Sequence, residues 1–365
     1  MDLHTPPKKP TEHDEACNAN RLRGSPVCIC ANYQKKALSR YSFTDPATAR
    51  ARKTPQFAHA ATVVSFKRPP PQLSVPQLIG SDSYFHQAFK NIREIGRGSF
   101  GVVYSATANA DGKAYAIKVS NHYYNSSARR DRALEEVRLH EFLPPHKNIV
   151  RFIMAWEERD RLYIQLELCK GQDLRQMHSS KNPVNEKQIW KWAEGFAKAL
   201  KHLHENDVIH LDVKPDNMFI GFDGEVKLGD FGSAVDLINN DLDDFDDGDS
   251  RYLAPEVLND QPCTSSDIYS LGMALLELSS HVDFDRIHFD SSGEMHRAAW
   301  DNLKDNNLKE LISVMTHEDP TKRPNADGVL QLVRYYNRKY LIKYSLIFLG
   351  VALFIYCLCA ALYYR

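Results

Sequence analysis

The spacing of apolar positions changes twice along this chain, and each change marks a segment of a different kind. From Met1 to Val75 apolar residues are sparse and aperiodic among Lys, Arg, Pro, Ser and Thr. Such a stretch buries too little surface to offset the entropy of ordering it, so the pattern predicts a disordered tail. Pro69-Pro70-Pro71 extends that tail as a linker to Ser83, and a folded domain is expected over 84–335. From Phe89 to Val103 the apolar residues take strand spacing around several glycines. Asn109-Ala110-Asp111-Gly112 reads as a hairpin turn between strands running from Val102 to Thr107 and from Ala114 to Val119. A helix is expected from Ser127 to Leu143, stopped by Pro144-Pro145, and a further strand from Arg161 to Leu168.

After Asn185 the period becomes helical: Ile189, Trp190, Ala193, Phe196, Ala197, Leu200 and Leu203 share one face of a long amphipathic helix. Shorter helices are expected around Ser265 to Ser279, Trp300 to Val314 and Asp327 to Tyr335. A strand-rich part ahead of a helix-rich part makes the expected class α+β, with two lobes.

The final change comes at 344–364, where no residue is charged and the helix circumference is apolar all round. At ~1.5 Å per residue this run spans about 30 Å, the thickness of a bilayer core, and is expected to be a single transmembrane tail anchor. Arg334, Arg338, Lys339 and Lys343 precede it and Arg365 alone follows it, an asymmetry that keeps the folded domain on the cytosolic side. The polar sequence after Met1 is not a secretory signal.

Composition narrows the function classes. The chain has 365 residues, 43% hydrophobic and 25% charged, with a formal net charge of -1. That is ordinary globular usage, without the basic excess of a nucleic-acid binder, so no nucleic-acid partner is expected. The seven cysteines show no repeated spacing, which fits a reducing compartment, and Cys28 and Cys30 lack the spacing of a zinc site.

Four motifs then carry the chemistry, in a fixed order: Gly96-Arg97-Gly98-Ser99-Phe100-Gly101-Val102-Val103, Ala116-Ile117-Lys118, His210-Leu211-Asp212-Val213-Lys214-Pro215-Asp216-Asn217, and Asp230-Phe231-Gly232. Each is weak alone, but together they supply what phosphoryl transfer needs, and the chain reads as a protein kinase using ATP and Mg2+. Gly96, Gly98 and Gly101 let backbone close over a triphosphate. A strand resumes at Val102, where a dinucleotide-binding turn would start a helix. Lys118 is placed to hold phosphates and needs a carboxylate to aim it. Glu136 is the expected partner: Glu135 points about 100° away around the helix, so the two cannot share the role, and Val137 with the later apolar residues puts Glu136 beside the inward face. Asp212 is the expected acceptor for the substrate hydroxyl's proton, Lys214 approaches the γ-phosphate, and Asn217 and Asp230 bind the metal.

Leu211 stands where most kinases carry an arginine that receives an activation-segment phosphate, so no such phosphate is expected to be needed. The segment is itself acidic from Asp241 to Asp249, and this stretch is expected to attract a basic rim on the substrate. Ala254-Pro255-Glu256 closes it, with Arg323 as the expected buried partner of Glu256.

With these residues in view, His210-Leu211-Asp212-Val213-Lys214-Pro215, Gly248-Asp249-Ser250-Arg251-Tyr252-Leu253-Ala254-Pro255-Glu256 and Ser83-Tyr84-Phe85 resemble the Wee family of inhibitory kinases. Asp230-Phe231-Gly232 and the apolar C-terminal run resemble its membrane-associated Myt branch. The resemblance implies a cyclin-dependent kinase, with its cyclin, as substrate, phosphorylated on the adjacent threonine and tyrosine of its glycine-rich loop. An endomembrane location (endoplasmic reticulum, Golgi or nuclear envelope) is implied as well. ATP would be held by Ile95, Gly96, Gly98, Ser99, Phe100, Gly101 and Val103, with Leu166 as gatekeeper and Glu167 and Cys169 at the hinge. The sequence ends at Arg365 without the family's long docking tail, so either a lower substrate affinity or recruitment through the basic N-terminal segment is expected. The competing readings are a membrane-tethered pseudokinase that sequesters the same target and a general serine/threonine kinase.

Overall fold

The computed structural model describes residues 61–67, 83–98, 101–121, 127–171, 173–179, 184–238, 249–259, 261–284 and 294–338, together with Val351 and Ile355. The small lobe begins with β1 (Thr62–Val64), α1 (Tyr84–Ala88), β2 (Phe89–Arg97), β3 (Gly101–Ala108), β4 (Ala114–Ser120), α2 (Ser127–Phe142), β5 (Phe152–Glu158) and β6 (Arg161–Glu167). Its six strands form one antiparallel sheet in the order β1-β5-β6-β4-β3-β2. Ile117 and Trp156 are fully buried on the face covered by α1, while Val137 of α2 closes over Ala155, Leu162 and Ile164 on the other.

Ser83-Tyr84-Phe85 explains its own prominence in the sequence. Ser83 caps α1 by accepting from the His86 amide, and the buried carboxylate of Glu158 accepts from the amides of Tyr84 at 2.7 Å and Phe85 at 3.4 Å. The Tyr84 ring meets Trp156 edge-on, and Phe85 packs against Phe89, Tyr104 and Tyr163.

Two features of this lobe depart from the expected pattern. Thr62–Val64, inside the expected tail, is a strand on the sheet edge, because three residues of high strand propensity find an open partner in β5. The strand Phe152–Glu158 also went unread. Its hairpin turns on Arg159 and Asp160, which take φ of 51° and 56° without a glycine or asparagine to announce the turn.

The large lobe comprises α3 (Leu174–Ser179), α4 (Glu186–Glu205), β7 (Val208–Ile209), β8 (Met218–Ile220), β9 (Val226–Leu228), β10 (Val235–Asp236), α5 (Thr264–Ser280), α6 (Glu294–Asn302) and α7 (Asn306–Met315), followed by helix over 326–338. Asn185 caps α4, whose seven expected core residues are all buried. The single helix expected from Trp300 to Val314 is two. Asp305 breaks it by capping α7 through the amides of Asn307 and Leu308 while accepting from the Trp190 indole at 2.8 Å. α5 is buried around most of its circumference, which makes it the axis of the lobe.

Among the described residues no helix is long and apolar enough to cross a membrane. The expected span at 344–364 lies outside them, apart from Val351 and Ile355, which are helical and exposed. The tail through residue 60 lies outside them as well.

Candidate active site

The sheet and the helical lobe present their chemistry to each other from opposite sides of one cleft. On β4, Lys118 lies opposite Val103 of β3 and Ile164 of β6, which fixes its strand position on both sides. Its ammonium reaches Glu136 of α2 at 2.7 and 3.0 Å and Asp230, after β9, at 2.7 Å. Glu135, the rejected alternative, instead holds Arg138. Burial opposes the charge on Lys118, but the two carboxylates outweigh it and hold the pKa above the ordinary lysine value. Asp230 is likewise opposed by burial, yet Lys118 and the Gly232 amide bring its pKa below the usual carboxylate range. The cluster is therefore an ammonium aimed by two carboxylates, ready to meet phosphate oxygens.

The catalytic loop is built on α5. Asp267, fully buried in the helix's first turn, accepts from the amides of His210 and Leu211 and lies against the His204 ring, each at 2.9 Å. This anchor was missed in the sequence, although a charged residue opening an otherwise apolar helix is a usable signal. Leu211 takes a φ of 60°, and its side chain is buried with Ile209, Val235, Leu253 and Ala254. An apolar cluster thus occupies the position from which an arginine would meet a segment phosphate. The neighbouring ties are ionic: Arg138 of α2 reaches Asp236 of β10 at 2.8 Å, and Arg251 pairs with Asp249.

Asp212 follows, its carboxylate held by Lys214 at 2.9 Å, Asn217 at 2.8 Å and, more weakly, the Asp249 amide at 3.4 Å. Asn217 donates from Nδ2 to both the backbone and the side chain of Asp212, which turns its amide oxygen away from that residue. That oxygen and the Asp230 carboxylate are hard donors suited to Mg2+. Among the described residues no three His, Cys, Asp or Glu side chains converge to cage a metal. A site with two protein ligands is what an ion also bound by substrate phosphates requires.

Of the glycines, Gly101 has a packing reason: a Cβ there would lie 2.2 Å from the Val119 carbonyl oxygen across the strand pair. Gly96 and Gly98 face open space, as a loop that closes over a ligand needs. Ser99 and Phe100, expected at the loop tip, lie outside the described residues, as do the acidic positions 241–248. Leu166 pairs with Ala116 of β4, and Glu167 ends β6 with its side chain on Lys227 at 3.1 Å. Burial pushes the Cys169 thiol up to about 12, which leaves it a neutral lining group. Glu256 and Arg323 form the expected buried pair, at 2.6 Å.

Two further arrangements had no sequence signal. Arg175 of α3 joins Asp216 at 2.7 Å, Glu277 at 3.0 Å and the Tyr252 hydroxyl, which itself donates to Glu277. This network, buried at Tyr252 and Glu277 and partly exposed at Asp216, ties the end of the activation segment to the catalytic loop and α5. Second, a column of rings crosses between the lobes: Phe152 to His140 at 5.6 Å, His140 to Phe231 at 4.3 Å, and Phe231 to His210 at 5.2 Å. His140 thus connects α2 to the residue beside Asp230, and its Nε2–H donates to the Val150 carbonyl at 2.7 Å.

The comparisons agree with this geometry. The protein kinase domain family matches residues 89–333. A membrane-associated tyrosine- and threonine-specific cdc2-inhibitory kinase, wee-1.3, of Caenorhabditis briggsae is 40% identical over 257 residues, covering 68% of this chain and 38% of that protein. The membrane-associated tyrosine- and threonine-specific cdc2-inhibitory kinase of Drosophila melanogaster is 34% identical over 339 residues, covering 89% and 59%. A probable protein kinase of Dictyostelium discoideum is 33% identical, covering 67% and 71%. The chain belongs to the protein kinase family. Within that family its similarity runs to kinases named as Wee-type inhibitors of cdc2, and it spans about two fifths to three fifths of the length of those relatives.

Burial pushes the His140 imidazole down to about 4 from a reference of 6.5, so it is neutral in the folded chain near pH 7. Between those values the unfolded chain binds the extra proton, and stability therefore falls as pH drops from about 6.5 toward 4. Urea unfolding at pH 7 and pH 5 is expected to show an acid loss on the order of 2 kcal/mol larger in the parent than in His140→Leu. Equal losses in the two would contradict a buried neutral imidazole.

Proposed function

We propose that this chain is an ATP-dependent protein kinase of the Wee family's membrane-associated Myt branch. In this reading it phosphorylates the adjacent threonine and tyrosine in the glycine-rich loop of a mitotic cyclin-dependent kinase and so restrains entry into M phase. The observation that carries the catalytic part is the convergence of Lys118, Glu136 and Asp230 with Asp212, Lys214 and Asn217 on one cleft. A pseudokinase scaffold would have no need of that convergence. The substrate class is supported by the cdc2-inhibitory names of the relatives and by the motifs at 210–215 and 248–256.

Each residue has a task. Lys118, aimed by Glu136, draws the nucleotide's phosphates into register. Asp212, oriented by Asn217, accepts the hydroxyl proton as the oxygen attacks the γ-phosphorus and the bond from that phosphorus to the β,γ-bridging oxygen breaks, releasing ADP. Lys214 beside it offsets charge on the transferring group. Asn217 and Asp230 would hold Mg2+, which would supply neutralisation of phosphate charge.

Mass spectrometry of a cyclin-dependent kinase–cyclin complex incubated with the chain and MgATP is expected to find phosphate on both loop hydroxyls. Phosphatase-treated and repurified chain should label at the same rate, because Leu211 sits in an apolar cluster and the neighbouring Arg138 and Arg251 are already paired with Asp236 and Asp249. Target inhibition by Asp212→Asn without any label would favour the scaffold, and activity lost to phosphatase would sink the constitutive segment.

The membrane part of the proposal rests on the uncharged run at 344–364 and the basic residues before it. It places the kinase domain in the cytosol on an endomembrane surface. Carbonate-resistant pelleting should be lost when residues 344–364 are removed; unchanged pelleting would contradict the anchor.

A further inference from the structure

The strand that the sequence pattern assigned to a tail makes contacts aimed at the catalytic helix. β1 pairs with β5 through Thr62 with Glu157, Val63 with Trp156 and Val64 with Ala155. Val64 packs on the cluster of Val137, Ala155, Leu162 and Ile164, so it touches the core that seats α2. The chain then turns onto the helix itself. Ser65 donates from Oγ to Glu141 at 2.6 Å, and the Phe66 amide donates to the other Glu141 oxygen at 2.7 Å. Glu141 is buried at 6% exposure, and both of its oxygens accept from this strap.

The position of Glu141 gives these bonds their meaning. It lies five residues after Glu136 on one rigid helix, a rise of about 7.5 Å, so a hold on one fixes the other. The opposite end of α2 is held by Arg130, which pairs with Glu157 at 2.6 and 2.7 Å, and Glu157 is the residue that faces Thr62. The strap therefore holds the C-terminal end of α2 through Glu141, while β5, the strand on which β1 is laid, holds the other end through Arg130.

We propose that Thr62 to Lys67 is a built-in clamp on α2, and that Ser65 and Glu141 are positioning residues for the Lys118–Glu136 pair. Seated, the strap holds Glu136 against Lys118; released, it frees the helix to swing and leaves Lys118 unaimed. The inference rests on the kinase reading only for phosphoryl transfer, and is independent of which protein is phosphorylated.

The test uses the full chain. Ser65→Asp sets a second carboxylate against Glu141, while Ser65→Thr keeps the hydroxyl. Ser65→Asp is expected to raise KM for ATP by about tenfold, the equivalent of one charge-assisted hydrogen bond, and to speed amide exchange across Leu134 to Phe142. Ser65→Thr should match the parent in both. If Ser65→Asp does not fold, Ser65→Ala is read the same way, with an increase of about threefold expected. Parent-like KM and exchange in the folded variant would overturn the clamp. A parent chain without phosphotransfer would count against the kinase reading instead, and the exchange rates would still decide the clamp.

Discussion

One buried charge organises this molecule. Lys118 sits on the central part of the small-lobe sheet with little water around it, and a lone ammonium there would be costly. Two carboxylates resolve that cost, and they come from separate parts of the chain: Glu136 from the helix that covers the sheet, Asp230 from the loop beneath it. The small lobe, α2 and the large lobe are thus related through a single side chain. Buried ion clusters contribute little net stability against an apolar alternative, so its value here is positional.

The surrounding structure reads as support for that geometry. Below the cleft, Asp267 holds the catalytic loop by its backbone, and the Arg175 network binds the activation segment to the same helix. Through the middle, the column from Phe152 to His210 aligns the lobes by ring packing. Beside it, Leu211 and Val235 are buried in one apolar cluster, while Arg138 and Asp236 form a charge pair between α2 and β10.

Much of this was legible in the sequence because phosphoryl transfer restricts residue type and spacing together. Motifs identify Lys118, Asp212, Asn217 and Asp230, and Val137 with the later apolar residues of the helix marks Glu136 rather than Glu135 as lying beside the inward face. The α4 face was plain from its period. What escaped had physical reasons. β1 is three residues long in a polar stretch and exists only because β5 offers an edge. The turn at Arg159 and Asp160 carries no glycine. Asp267, Arg175 and His140 act through partners from 10 to 102 positions away, which no local pattern reveals. The helix expected from Trp300 is interrupted at Asp305, whose one carboxylate oxygen caps α7 while the other accepts from a tryptophan of α4.

The central claim is that Lys118, aimed by Glu136, meets the nucleotide's phosphates while Asp230 serves as a ligand for Mg2+. A crystal structure of the chain with Mg2+ and a non-hydrolysable ATP analogue tests this most directly. The account predicts Lys118 between Glu136 and the phosphates, with Asp230 turned from Lys118 to the metal. A bound complex that kept the Lys118–Asp230 contact, or that lost Glu136 from Lys118, would contradict it.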